Sequence, residues 1–201
     1  MSLSARMIVV LTVVGLISGS LLAVVGLLTK ERIEMNRQQE IQTAINEVLP
    51  STETSQKIYE DESLTVYKSI DKNKNNVGFA VYTSGTGFQD IITLMYGVDP
   101  SVSTIKDLTI LDQKETPGLG SKITDEKSFL RFWEDRNCEK SLSLRKPAVD
   151  SPEKLAPSEI NAITGATISS DSVLEIVNQS LERLKKIKQG GKLTREEKNV
   201  A

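Results

Sequence analysis

The chain reads as an α+β protein: an antiparallel sheet flanked by helices, carried on one N-terminal transmembrane helix. Three observations predict this. Met7 to Thr29 is an uncharged run of apolar and small residues. Four β-rich segments then follow between residues 64 and 111, separated by short polar or Gly/Pro breaks. Last, Val173, Val177, Leu181, Leu184 and Ile187 recur at three- and four-residue steps, the stripe of a core-facing helix.

The first element has the length to cross a membrane. At about 1.5 Å per residue the run extends roughly 34 Å as a helix, against a hydrocarbon core of about 30 Å. The competing feature, a secretory signal peptide, has an apolar region of about 7–15 residues ending at a small-x-small site. This run is longer and shows no such site, and no cysteine follows it to carry a lipid. Gly15 and Gly19 form a GxxxG pair, either a close helix contact or coincidence in a glycine-rich run. Residues 1–30 are therefore assigned to the anchor. Residues 31–50 form a connecting helix, with Ile33, Ile41, Ala44, Ile45 and Val48 at helical spacing before Pro50. Arg6 and the terminal amine lie before the span, and Lys30, Arg32 and Arg37 after it. That count weakly favours a cytoplasmic domain.

Residues 51–189 make the globular domain. Ser51–Glu62 is polar and reads as a loop. Leu64–Ile70 and Val77–Thr83 flank a polar hairpin turn. Ser84–Gly87 reads as a second turn, Ile91–Val98 as a strand, and Ile105–Leu111 as a fourth strand. Ser128–Arg136 has the look of a short helix with Phe129, Phe132 and Trp133 on one side. The last helix is expected to start near Ser169–Ser172, with Ser172 and Glu175 as a capping box, and to end at Gly190-Gly191. The charged tail within 190–201 is expected to be disordered.

Composition removes several chemistries. Among 201 residues there is no histidine, one cysteine and a net charge of -2. Ser-His and Cys-His nucleophiles, histidine-ligated haem and the usual zinc enzyme sites are excluded. Cys138 cannot form an intramolecular disulfide or hold an iron–sulfur cluster. Basic residues are scattered, so no nucleic-acid footprint is present. No catalytic residue and no metal site is expected, and redox chemistry would have to come from a cofactor.

Two segments stand out chemically. Thr164-Gly165-Ala166-Thr167-Ile168-Ser169-Ser170 places hydroxyls around a Gly-Ala turn at a helix start. Unpaired N–H groups and the helix dipole make such a place favourable to phosphate, and the Thr167 hydroxyl is placed to be esterified. The same residues also suit ordinary helix capping, and both uses remain open on local grounds. Glu115-Thr116-Pro117-Gly118-Leu119-Gly120 is a tight loop by composition.

Together, behind a membrane helix, these two segments resemble the FMN-binding domain family, which includes G subunits of Rnf complexes and C subunits of the sodium-translocating NADH:quinone oxidoreductase. The family's attachment motif runs roughly Asp-x-x-Ser/Thr-Gly-Ala-Thr-x-Ser/Thr. Here Asn161 stands in the Asp position, while Glu115–Gly120 matches the second signature without change. A looser likeness runs through Ser84–Val98.

The resemblance implies a flavoprotein with FMN joined by a phosphodiester to Thr167, an FMN phosphoryl threonine, made by a separate flavin transferase that uses FAD and releases AMP. By the same resemblance, Thr164 supports the phosphate with Gly165, Ala166, Ile168, Ser169 and Ser170 around it. Glu115, Thr116, Pro117, Gly118, Leu119 and Gly120 would form a loop beside the flavin, with Leu119 on the ring face. The absence of an Asp at 161 would affect transferase recognition more than attachment. Trp133 could stack on a flavin or fill the core. The short chain is similar to Rnf G subunits. It would then be a single-pass protein of the cytoplasmic (inner) membrane with its flavin domain facing the periplasm or cell exterior. It would relay electrons among the other membrane subunits of a ferredoxin:NAD oxidoreductase that moves sodium or protons, with no independent activity of its own. The quinone-reductase C subunit and a cofactor-free membrane-anchored assembly module are the alternatives.

Overall fold

A computed structural model describes residues 2–191 and Leu193. The charged tail falls almost entirely outside these residues. The chain divides into two compact units, residues 1–42 and 43–201. Helix α1, Leu3–Val48, runs unbroken for 46 residues because nothing between Met7 and Glu47 is a helix breaker except isolated glycines. In the first unit its apolar side chains are exposed and none of the most apolar 18-residue window is buried, as a surface meant for lipid would be.

The second unit is built on a six-stranded antiparallel sheet in simple chain order: β1 Thr54–Glu60, β2 Leu64–Ile70, β3 Asn76–Thr86, β4 Ile91–Val98, β5 Thr104–Asp112 and the short β6 Arg136–Asn137. β7 Ser143–Arg145 and β8 Glu159–Asn161 form a separate parallel pair. α2, Thr167–Gln189, follows.

Each face of the sheet is covered differently. On one face Val66, Val81, Leu94 and Tyr96 join Val173, Val177, Leu181 and Leu184 of α2 in the main core, with Ile187 at its margin. The α2 stripe thus packs as its spacing predicts. On the other face the last turn of α1 is buried through Ala44, Ile45 and Val48, with Leu49 beyond it. Gly97 admits this turn: a Cβ there would lie 2.5 Å from the Val48 carbonyl oxygen.

Four local expectations change. Ser51–Glu62 contains the edge strand β1, whose mostly exposed residues give no alternating apolar pattern to read. β3 continues through Thr86, pairing Gly85 with Ile92, so the turn is Gly87–Asp90, closed by Gly87 N–H on the Asp90 carbonyl at 2.8 Å. Ser128–Arg136 is not an α-helix; it holds only the 3-10 turn Leu130–Phe132, and another 3-10 turn, Gly120–Thr124, precedes it. α2 begins at Thr167 rather than Ser169–Ser172, which places Ser172 and Glu175 inside the helix and removes the capping box.

Candidate functional site

The two sequence segments meet at one end of the sheet. β5 delivers the chain to Glu115, and the Gln113 side chain fixes that turn by accepting the Glu115 N–H at 2.6 Å. The Glu115 side chain is 4% exposed. Its Oε1 accepts the N–H groups of Phe88 (2.8 Å) and Gln89 (3.1 Å), and its Oε2 accepts the Ser169 hydroxyl at 2.6 Å. One carboxylate therefore ties together the β3–β4 turn, the Glu115–Gly120 loop and the first turn of α2.

Glycines make room for this carboxylate. A Cβ at Gly87 would sit 2.6 Å from Oε1, and one at Gly120 would sit 2.7 Å from Oε2 and 2.6 Å from the Ser169 hydroxyl. Gly118 and Gly165 have a different reason: their φ values of +75° and +84° lie in the left-handed region. Pro117, Gly118 and Leu119 are exposed at the loop tip. Thr116 Oγ1 accepts the Gln89 side-chain amide at 3.1 Å, a second tie between this loop and the β3–β4 turn.

The hydroxyls of the second segment divide by burial. Ser170 is fully buried; its oxygen accepts the Ile163 N–H at 3.0 Å and donates to the Ala166 carbonyl at 3.1 Å, closing the Gly-Ala turn. Ser169 is committed to Glu115. Thr164 and Gly165 are exposed and Thr167 is half-buried. Neither threonine hydroxyl has a partner among the described residues.

The helix start is unusually open. Its N-cap is Ala166, with no side-chain cap hydrogen bond, where Ser, Thr, Asp or Asn would add about 1 kcal/mol. The first backbone bond is Ser170 N–H to the Ala166 carbonyl at 3.1 Å. The N–H groups of Thr167, Ile168 and Ser169 have no acceptor among the described residues. The first turn carries no acidic residue. The turn that carries the Thr167 hydroxyl therefore has three unpaired donors and the positive end of the helix dipole.

Exposed apolar side chains lie on the segments that meet here. Among the described residues outside α1, the large exposed hydrophobics are Phe88, Ile91, Leu119 and Ile168. Leu119 leans over Gly165, where a Cβ would come 3.8 Å from its Cδ2. Phe88, on the turn held by Glu115, is the residue sequence reasoning passed over; an aromatic directly after a glycine turn was its only signal. A separate polar cleft of about 220 Å³ lies between β3 and α2, lined by Ser84, Thr86, Ser172, Gln179 and Arg183 among others. Thr167 is not among its lining residues.

Three other residues settle as structure. Trp133 is fully buried, edge-on to Phe129 with ring centroids 5.8 Å apart, so it is a core residue with no face to offer a ligand. Cys138 is fully buried and burial pushes its thiol up to about 11, leaving no thiolate at neutral pH. Asn161 is 3% exposed and engaged with the backbone of Val149.

Similarity to known proteins covers the segments that carry these residues. Residues 87–182 match the FMN-binding domain model, and residues 9–48 match the RnfG N-terminal region. The G subunit of the ion-translocating oxidoreductase complex of Methanosarcina acetivorans is 27% identical over 184 residues, 88% of this chain and 92% of that protein. The G subunit of the Na(+)-translocating ferredoxin:NAD(+) oxidoreductase complex of Acetobacterium woodii is 34% identical over 124 residues, 61% of this chain and 56% of that protein. The crystal structure of Shewanella oneidensis NqrC shares the fold, with a TM-score of 0.53 at 22% identity, covering 69% of this chain and 74% of that one. Both motifs lie inside the segment that matches the FMN-binding domain, and α1 carries the segment that matches the RnfG N-terminal region, so the chain is similar along most of its length to Rnf-type G subunits.

Proposed function

We propose that this chain is a membrane-anchored electron carrier, the G-type subunit of an ion-translocating ferredoxin:NAD oxidoreductase, with FMN joined through its phosphate to Thr167. The observation that carries this reading is the start of α2: an uncapped helix N-terminus with three open N–H donors beside a threonine hydroxyl that has no other partner among the described residues. FMN bound there would supply reversible one-electron chemistry, which the protein's own groups do not offer at ordinary biological potentials.

The residues present fit that group. In the proposed attachment the Thr167 oxygen would become bonded to the FMN phosphorus of FAD. The new O–P bond would form as the pyrophosphate bond breaks, with AMP leaving and the hydroxyl proton passing to a separate flavin transferase. The unpaired N–H groups of residues 167–169 would then hold the phosphate. Gly165, in its left-handed conformation, keeps the approach clear of a Cβ. Leu119, Ile168 and Phe88 offer apolar surface on which a ring can exclude water. Glu115, Ser169, Ser170 and Gly120 hold this frame from beneath.

The proposal places the protein in the cytoplasmic membrane through α1, beside the other membrane subunits of the complex. The flavin domain faces the periplasm or cell exterior, as the family resemblance implies, against the weak charge count around the span. A covalent link suits that side, where cytoplasmic FMN is out of reach. Protease added to spheroplasts, whose cytoplasmic membrane is intact and exposed, would digest the domain if it faces outward and spare it if it faces the cytoplasm.

The decisive experiment is membrane expression of the full chain with a flavin transferase, followed by flavin fluorescence on a denaturing gel. Wild type should fluoresce and Thr167→Ala should not. A colourless wild type overturns the carrier reading; a fluorescent Thr167→Ala overturns the site.

A further inference from the structure

We propose that Glu115 is a positioning residue, whose buried carboxylate locks the first turn of α2, and with it Thr167, to the Phe88–Gln89 turn. The proposal rests on the flavin reading above and assigns a part of that site for which the binding motif alone gives no reason.

The geometry is specific. Glu115 and Ser169 lie 54 positions apart and meet at 2.6 Å inside the protein. The other carboxylate oxygen holds two successive N–H groups of the β3–β4 turn. Ser169 is two residues from Thr167 on the same helical turn, so the serine hydroxyl sets where that turn sits against the loop. Two glycines are spent on the space: neither Gly87 nor Gly120 could carry a Cβ without closing on this carboxylate.

No lysine or arginine pairs with Glu115 among the described residues. The adjacent Lys114 is turned to Asp90 at 3.1 Å. A buried carboxylate without a counter-charge is a costly way to gain stability, since a neutral residue of the same shape often serves as well. Its use here fits a demand for placement. A glutamine would meet the same contacts, because its oxygen accepts the two N–H groups and its NH2 donates to the Ser169 hydroxyl, which rotates to accept. An alanine at either position breaks the tie.

The test uses the purified full chain in detergent, with FAD and the transferase, and reads the initial rate of flavin incorporation. All variants are compared at a temperature where circular dichroism shows each to be folded. Ser169→Ala and Glu115→Ala should incorporate flavin about tenfold more slowly, the scale of losing one hydrogen bond to a charged group. Glu115→Gln should stay within about twofold of wild type, a rescue that simple loss of packing would not produce. If Glu115→Ala does not fold, Ser169→Ala and Glu115→Gln carry the comparison. Wild-type rates in Ser169→Ala, with Thr167→Ala blank, would overturn the latch and leave the flavin site standing. Incorporation into Thr167→Ala at the wild-type rate would overturn the site and the positioning of Thr167 with it.

Discussion

Asn161 and Val149 exchange two hydrogen bonds: Val149 N–H donates to Asn161 Oδ1 at 2.8 Å, and Asn161 Nδ2 donates to the Val149 carbonyl at 2.9 Å. The side chain acts here as both donor and acceptor, three residues before the Thr164–Thr167 turn. An ionised aspartate could only accept. The position where related motifs often carry Asp is thus filled, in this chain, by the residue that completes a buried backbone pair.

Asn161→Asp should therefore destabilise the folded domain by about 1–3 kcal/mol at neutral pH, since the Val149 carbonyl loses its donor and faces a carboxylate. Protonating that carboxyl restores a donor, so folding holds the proton more tightly than the unfolded chain does. The penalty is absent in acid and accumulates as pH rises above the unfolded aspartate value of about 3.9. Denaturant melts of both proteins at pH 4 and pH 7 check this; equal stability at pH 7 would show that Val149 needs no donor from position 161.

Two hydroxyls in one motif should behave oppositely. Thr167→Ala removes an oxygen with no partner among the described residues, so stability should stay within about 0.5 kcal/mol while covalent flavin is lost. Ser170→Ala removes the oxygen that serves both Ile163 N–H and the Ala166 carbonyl in a fully buried place. It should cost about 1–3 kcal/mol, because those groups are left unpaired. Thermal unfolding of the flavin-free variants separates them, and a large loss in Thr167→Ala would mean its hydroxyl is structural after all.

The glycines of the Glu115–Gly120 loop are not equivalent. Gly120→Ala drives a methyl against Ser169 and Glu115, at 2.6 and 2.7 Å, and should destabilise by about 1–3 kcal/mol as overpacking does. Gly118→Ala meets nothing within 4 Å and suffers only its φ of +75°, about 1 kcal/mol. A larger loss at Gly118 than at Gly120, seen in urea midpoints, would contradict this division.

What was legible in the sequence follows from how far each signal reaches. The α2 stripe was readable because its buried face repeats with a local period, and β2, β4 and β5 because they are β-rich runs bounded by turn residues, buried on both faces where the sheet is covered on both sides. β1 was not, because an exposed edge strand needs no apolar alternation. The Gly85 break misled because that glycine answers to Ile176 across the core, where a Cβ would lie 2.5 Å from the isoleucine Cγ1, and not to a turn. The motif residues were all visible as motifs, yet their division of labour was not. That Glu115 would face inward to Ser169, and Leu119 outward over Gly165, depends on contacts between segments about 50 residues apart.

The last prediction concerns Asp107 on β5, which lies in a groove with Val48, Leu49 and Glu134. Burial raises its carboxyl from the ordinary value of 3.8 to about 6; Glu126, Glu134 and Glu47 push the same way, against the Leu108 N–H bond that favours the charge. Between those two pH values the folded protein holds a proton the unfolded chain has released, so raising pH favours unfolding. Stability should fall from about pH 4 to about pH 6, by no more than about 2 kcal/mol once solvent screening of a half-buried group is allowed for. Asp107→Asn cannot ionise and should lose that slope, becoming more stable than wild type above pH 6. Chemical denaturation across this range decides it, since parallel curves for the two proteins would mean that Asp107 ionises in the fold at no cost.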